Sequence, residues 1–337
     1  VDLSTVTADM RARLDARIPV YHASHATARG RDGYLSATGT DLLNSHVASA
    51  DAFLATLDNE SIERPWVATL HGSYVAFDEA PRAVIDWITG NVDRFIYTAN
   101  RNLEFFERHG IAHDDFVKLP NAMPRDERPA PFERADLGIA EDDTVFVLVA
   151  RGIRRKGWRA AIHAFRDLRA RRADAHLLLV GEGEATDDAR ESAADLPGVH
   201  FLGYQSEING IYRLSDCMVL PTRFEGESYP LCLIQALQEG LPSIVTDLGE
   251  IRAMMTDDSG ATAGLLLDNT RESDTFFADL ASAMEAMCDP ATRAGFAATA
   301  RTRAQLFDID RLVTQYEGIF DDATLHHEAR SRAQAAE

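Results

Sequence analysis

The stretch RFEGESYPLCLIQALQEGLPSIVTDLGE, residues 223–250, sets a carboxylate and an amide eight positions apart: Glu227 on a Gly-flanked loop, Gln235 inside an apolar helical pattern. A carboxylate is a poor neighbour for a bare phosphate and a good acceptor for hydroxyls. Ser228 suits an N-cap, and Pro230 a first turn, where its missing N–H is not needed. Leu231, Ile234 and Leu237 recur at helical spacing and are expected to face a core, with Gly240 and Pro242 stopping the helix. The helix start then offers backbone N–H groups around Tyr229 and Leu231, a ready anion site. Gln235 would stand ~9–12 Å further along. One long ligand could meet all of these, with a sugar at one end, a phosphate in the middle and a ribose at the other. The plain alternative is a solvated acidic loop and an exposed Gln.

A second cluster is VARGIRRKGW, residues 149–158. Arg151 and Lys156 stand five apart across a Gly-containing turn, with Arg154 and Arg155 between them, in a chain of formal charge −20. Arg offers phosphate a bidentate fork and Lys a mobile point charge. Together they could neutralise a diphosphate with no metal. A basic helix start is the alternative, and it runs against the helix dipole.

Other candidates read as structural. VGEGEAT, 180–186, has two glycines of a dinucleotide fingerprint but lacks the third, and no acidic residue ends a following strand at the right distance. The pair Asp308 and Asp310 has the form of a metal-binding acid motif, but its place at a helix start favours capping. His326 and His327 read as part of a solvated tail. His46, at a strand end, is open equally to a ligand contact and a structural role.

These residues need elements to hold them. Short apolar runs at 18–24, 41–46, 66–72, 94–99 and 116–122 read as strands, with helical patterns at 80–91 and 100–110 between them. A Pro- and charge-rich stretch, 123–143, reads as an interdomain linker. A second series follows, with strands at 144–152, 175–183, 199–204, 216–222 and 242–247, a helix over 157–172 and another after Ser228. Strands alternating with helices predict parallel sheets covered on both faces. Such sheets bind ligands beyond the carboxyl ends of their strands, where His46, His71, Arg151, Gly203 and Glu227 fall. A last helix begins at 308, and its polar end, 328–337, is expected to fray. The expected division is 1–130, 131–307 and 308–337.

The chain has 337 residues, 34 basic and 54 acidic, enough for two cores. The acidity argues against nucleic acid or anionic lipid as a bulk partner. Cys217, Cys232 and Cys288 cannot form a disulfide framework, and the first two read as buried thiols suited to a reducing compartment. No apolar stretch approaches the ~20 residues that span a bilayer, and no signal peptide is visible. The expected location is the cytoplasm, with a peripheral place at the inner membrane surface left open.

The segments ARGIRRKGW, LLLVGEG and GESYPLCLIQALQEGLPSIVTDLGE, in this order, resemble the family-4 retaining glycosyltransferases. In the N-terminal half DLLNSH, VATLHGSY, RFIYTANRNLEFFERHGI and VKLPNAMP look like that family's successive strand ends, so the resemblance covers about 15–320. It implies the α/β GT-B fold: two Rossmann-like parallel-sheet domains facing across a cleft, the N-terminal one here lacking its first strand, and the last helix packing back toward it. The family's Glu-x7-Glu signature stands here as Glu227-x7-Gln235, and Pro230 replaces a common Gly. By resemblance, Arg151 and Lys156 grip the diphosphate of a nucleotide-sugar, Glu227 accepts from hydroxyls of the donor sugar, and Gln235 holds the ribose. His71 stands near the reacting centre, Gly203 and Tyr204 lie beside the base, and Ser228, Tyr229 and Leu231 line the phosphate end. No metal or other cofactor is implied. The implied partners are a nucleotide-sugar donor, a glycan or lipid-linked acceptor and an upstream segment of the same protein. The implied reaction is sugar transfer with retention, in bacterial polysaccharide or cell-surface glycan assembly. A non-catalytic nucleotide-sugar-binding domain and a GT-B epimerase are the alternatives.

Overall fold

The computed structural model describes residues 33–336 except 34, 37–38, 47, 58–61, 73, 75–76, 78–79 and 269–272. The expected strand at 18–24 lies outside the described residues. The chain divides into two compact units, residues 1–119 with 313–337, and residues 120–312.

In the first unit β1 (Leu43–His46), α1 (Ala48–Leu57), β2 (Trp66–Leu70), α2 (Arg82–Asn91), β3 (Arg94–Tyr97), α3 (Glu104–Arg108) and β4 (Val117–Lys118) follow in order. The four strands pair in sequence order and in parallel. Parallel neighbours require a crossover, and α1 and α2 supply two of them. Trp66, Ala68 and Leu70 point to one face of β2 and pack with Ile85, Ile88, Phe105 and Phe106.

The second unit contains β5 (Thr144–Val149), α4 (Trp158–Arg169), β6 (Ala175–Val180), α5 (Thr186–Ser192), β7 (Val199–Gly203), α6 (Ile208–Arg213), β8 (Cys217–Leu220) and α7 (Leu231–Gln238). Then come β9 (Ser243–Thr246), α8 (Ile251–Met255), β10 (Gly264–Leu267), α9 (Asp274–Ala286) and α10 (Pro290–Ala304); α11 (Ile309–Gln334) begins here and ends in the first unit. The six strands are parallel in the order β10-β9-β8-β5-β6-β7. β5 reads TVFVLV, a continuous apolar run that suits a strand buried on both faces. Alternation divides it: Phe146 and Leu148 join the core under α4 and α9, while Val145 and Val147 join the core under α7 and α8.

Four expectations are corrected. The 123–143 stretch is no spacer. It lies inside the second unit, where Met123, Ala130, Phe132 and Leu137 pack on a core and Arg134 reaches Asp216 at 2.9 Å. The C-terminal end does not fray after residue 328, because α11 runs on to Gln334. His326 and His327 are no solvated tail: their Nδ1 atoms lie 3.1 and 3.2 Å from the carboxylate of Asp93, whose side chain is fully buried and also meets Arg330 at 3.2 Å. Leu231 faces outward, 43% exposed, while Ile234 and Leu237 are buried as expected. Asp308 caps α11, accepting from the Arg311 N–H at 2.8 Å.

Candidate functional site

Strand order in the second unit fixes where a ligand can go. From β5 the chain steps outward to β6 and β7 on one side, then returns to β8, β9 and β10 on the other. The crevice at such a switch point lies between the carboxyl ends of β5 and β8. The loop after β5 carries Arg151 and Lys156, and the loop after β8 carries Glu227.

Those loops meet. Lys156 Nζ donates to Glu227 Oε2 at 2.5 Å, with the two side chains 12% and 7% exposed. A nearly buried ion pair needs its remaining lone pairs satisfied. The Thr222 hydroxyl donates to the same Oε2 at 3.0 Å and accepts from the Phe224 N–H at 3.2 Å. The Phe224 ring then collects the cations, with Lys156 Nζ 4.9 Å and Arg151 Cζ 5.6 Å from its centroid. A ring face attracts cations, so Phe224 favours both charges near it.

Two glycines permit this approach. Gly157 follows Lys156 at φ +84°, and a Cβ there would lie 2.3 Å from the Pro221 carbonyl at the end of β8. Gly249, at φ +60°, would put a Cβ 2.5 Å from the Glu227 carbonyl. Only a residue without a side chain lets backbones come so close.

The cation cluster itself is smaller than the sequence suggests. Arg154 pairs with Asp188 at 3.1 Å and Arg155 with Glu225 at 3.6 Å, both on the surface. The three residues Arg154–Lys156 form a 3₁₀ turn, and α4 starts only after Gly157, so the cations do not occupy its N-terminus.

Ser228 is not the N-cap of α7. Pro230 holds that place, its carbonyl accepting from Leu233 and Ile234 at 3.1 and 3.3 Å. Ser228 is buried instead, and its carbonyl accepts from the Glu250 N–H. Tyr229 lies edge-on to Phe307 and its carbonyl accepts from Asn121 Nδ2 at 3.3 Å. Burial pushes the Tyr229 hydroxyl pKa up, and the Cys232 thiol up to about 12, so neither titrates near neutrality.

Gly203 ends β7 at φ +65°, and its carbonyl accepts from Gly181 at 2.8 Å. Tyr204 follows, 54% exposed. The loop after β6 joins this row to the cation loop, since the Glu182 carbonyl accepts from Gly152 at 2.8 Å. Gln235, half-buried on α7, donates from Nε2 to Asn209 Oδ1 at 3.2 Å. The second unit thus holds Arg151, Lys156 and Glu227 together, with Gly203, Tyr204 and Gln235 on neighbouring strand-end loops and helices.

His71 follows β2 in the first unit. Its Nε2 lies 2.8 Å from His46 Nδ1, the rings stacked with centroids 5.1 Å apart, and Asn44 Nδ2 approaches His46 Nε2 at 3.1 Å. Burial, reinforced by His46, lowers the His71 pKa to about 4, and burial lowers that of His46 as well. Both are therefore neutral hydrogen-bonding groups at pH 7. Sequence reasoning missed Phe224 and Thr222, which lie in a loop without periodicity. The one cue was an aromatic residue beside a Gly-flanked acid.

Residues 143–287 match the family described as Glycosyl transferases group 1. Phosphatidyl-myo-inositol mannosyltransferase of Mycolicibacterium smegmatis is 28% identical over 308 residues, covering 88% of this chain and 75% of that one. N-acetyl-alpha-D-glucosaminyl L-malate synthase of Bacillus anthracis is 26% identical over 297 residues, 84% and 74% of the two chains. The solved structure of Anabaena HepE in complex with UDP and glucose superposes with a TM-score of 0.69 at 16% identity, over 89% of this chain and 80% of that one. The fold is that of the GT-B glycosyltransferases, and the group 1 match lies wholly within the second unit. Over most of its length the chain is similar to glycosyltransferases, and its second unit carries the group 1 glycosyltransferase match.

Proposed function

We propose that this enzyme transfers a sugar from a nucleoside-diphosphate sugar to a glycan or lipid-linked acceptor, with retention of anomeric configuration and without a divalent metal. The observation that carries the reading is the Lys156–Glu227 contact across the β5–β8 switch point, with Arg151 over the same Phe224 ring as Lys156. An ammonium has three protons and Glu227 takes one, so Lys156 can still donate to a diphosphate oxygen. Glu227 is held with its carboxylate accepting, which suits sugar hydroxyls. Breaking the bond between the anomeric carbon and phosphate leaves negative charge on the departing diphosphate. Cations already in place stabilise that charge more than they stabilise the bound donor, and this lowers the barrier.

The solved relative with bound UDP supports a nucleotide-sugar donor. The named relatives, one acting on phosphatidyl-myo-inositol and one on L-malate, support a place in bacterial glycolipid or glycan assembly. Among the described residues no helix is long and apolar enough to cross a membrane, so a lipid-linked acceptor would be met from the surface. The domain roles follow: residues 120–312 hold the donor, and the first unit, with His71, serves the acceptor side.

The test is incubation with UDP-, GDP-, ADP- and dTDP-sugars and candidate acceptors, following nucleotide release and the anomeric coupling of the product by NMR. Release with a retained linkage supports the reading. An inverted product, an epimerised donor or binding without turnover rejects it.

A further inference from the structure

Gln235 stands where a carboxylate is usual for the resembled family, and an amide can present either face. The structure settles which. Glu239, one helical turn further on, has its side chain 3% exposed and is paired with Arg213 at 3.1 Å and Arg125 at 3.3 Å. Held between two guanidinium groups, it is a carboxylate that only accepts hydrogen bonds. Asn209 is fully buried, and its amide lies 2.9 Å from Glu239 Oε1. The atom facing Glu239 must therefore be the donor, Nδ2. Gln238 agrees: its Nε2 donates to the Met123 carbonyl at 2.7 Å, which leaves its Oε1 as the atom 3.5 Å from the same Nδ2. With Nδ2 fixed, Oδ1 of Asn209 faces Gln235 and can only accept, at 3.2 Å. Gln235 must then present Nε2 to Asn209 and Oε1 to the other side. Among the described residues Gln235 makes no further side-chain hydrogen bond.

We infer that the chain Arg125/Arg213–Glu239–Asn209 locks Gln235 as a hydrogen-bond acceptor toward the donor, for a hydroxyl-bearing group such as the nucleoside's ribose diol. The amide does a carboxylate's work with its polarity set from behind, and Asn209 and Glu239 are positioning residues. The inference deepens the proposed function and rests on its assignment of the donor to residues 120–312. Its consequence runs against resemblance. A carboxylate at position 235 would face Asn209 Oδ1 acceptor to acceptor, and Asn209 cannot turn because Oδ1 would then face Glu239.

The test uses the full chain with Gln235→Glu, Glu239→Gln and the double variant. Affinity is read by calorimetric titration with UDP, GDP and ADP, and thermal midpoints are measured without ligand. Q235E is expected to weaken nucleotide binding roughly tenfold and to lower the midpoint. Adding E239Q lets residue 239 donate to Asn209, so that Asn209 can turn and donate to the carboxylate introduced by Q235E. Affinity should then return most of the way toward wild type, and Q235E should lower the midpoint less in the E239Q background than in the wild type, since E239Q alone loses the pairs with Arg125 and Arg213. Equal or tighter binding by Q235E, a double variant that binds no better than Q235E, or an equal midpoint loss from Q235E with and without E239Q overturns the lock. If the wild type binds no nucleoside diphosphate, the proposed function fails separately, and the ligand-free midpoints still decide the polarity chain.

Discussion

At residue scale, Lys156 is asked to do two things: neutralise Glu227 in a nearly dry place and leave protons for a diphosphate. Lys156→Ala should lower turnover at least about 100-fold, assayed by nucleotide release well below the variant's melting midpoint. Turnover within a few-fold of wild type would remove Lys156 from the grip. The histidine pair gives a pH signature. The folded pKa of His71 is lowered from 6.5 to about 4, so between those values the unfolded chain binds more protons and stability rises with pH. The melting midpoint should therefore fall as pH drops from 6.5 toward 4, and His71→Asn should flatten that slope. An unchanged slope would mean that His71 is protonated at no penalty in the fold.

At the scale of elements, α11 is pinned by one buried carboxylate. Asp93 accepts from the Trp66 N–H at 3.0 Å and meets His326, His327 and Arg330. Asp93→Ala leaves the buried Trp66 N–H and the Arg330 guanidinium without their shared acceptor, a loss of about 1–3 kcal/mol. Limited proteolysis should then cut first within residues 313–334, whereas a cutting pattern like wild type would show the pin to be dispensable. Much at this scale was legible in the sequence. The apolar runs of β5, β6 and β8 announce strands, because strands buried on both faces admit few polar residues. The 3.6-residue period marks α4. β10 was not read, because GLLL is too short to show a period and follows a turn. The Asp93 pin was invisible for another reason: it joins residues more than 230 positions apart. The site was half legible. Arg151, Lys156 and Glu227 stand out as charges beside glycines at strand ends. Thr222, Phe224 and the Asn209–Glu239 lock become visible only once β5 pairs with β8 and α6 packs on α7.

At the scale of the whole molecule, the proposed donor residues other than His71 lie within residues 120–312, around a complete six-stranded sheet with a core on each face. A fragment spanning those residues is expected to fold alone, melt cooperatively and bind nucleoside diphosphate within about tenfold of the full chain, yet to transfer no sugar. Loss of binding in a folded fragment would mean that the first unit contributes to the nucleotide site. The net charge of −20 makes the local cations matter more, since the mean field repels a diphosphate.

The most direct measurement is a crystal structure of the protein with UDP or GDP bound. The expected map places the diphosphate between the carboxyl ends of β5 and β8, within hydrogen-bond distance of Lys156 Nζ and the Arg151 guanidinium. A diphosphate found elsewhere, for instance in the cavity of about 450 Å³ lined by Arg154, Arg159, Asp188 and Arg223, with Lys156 making no contact to it, would contradict the assignment.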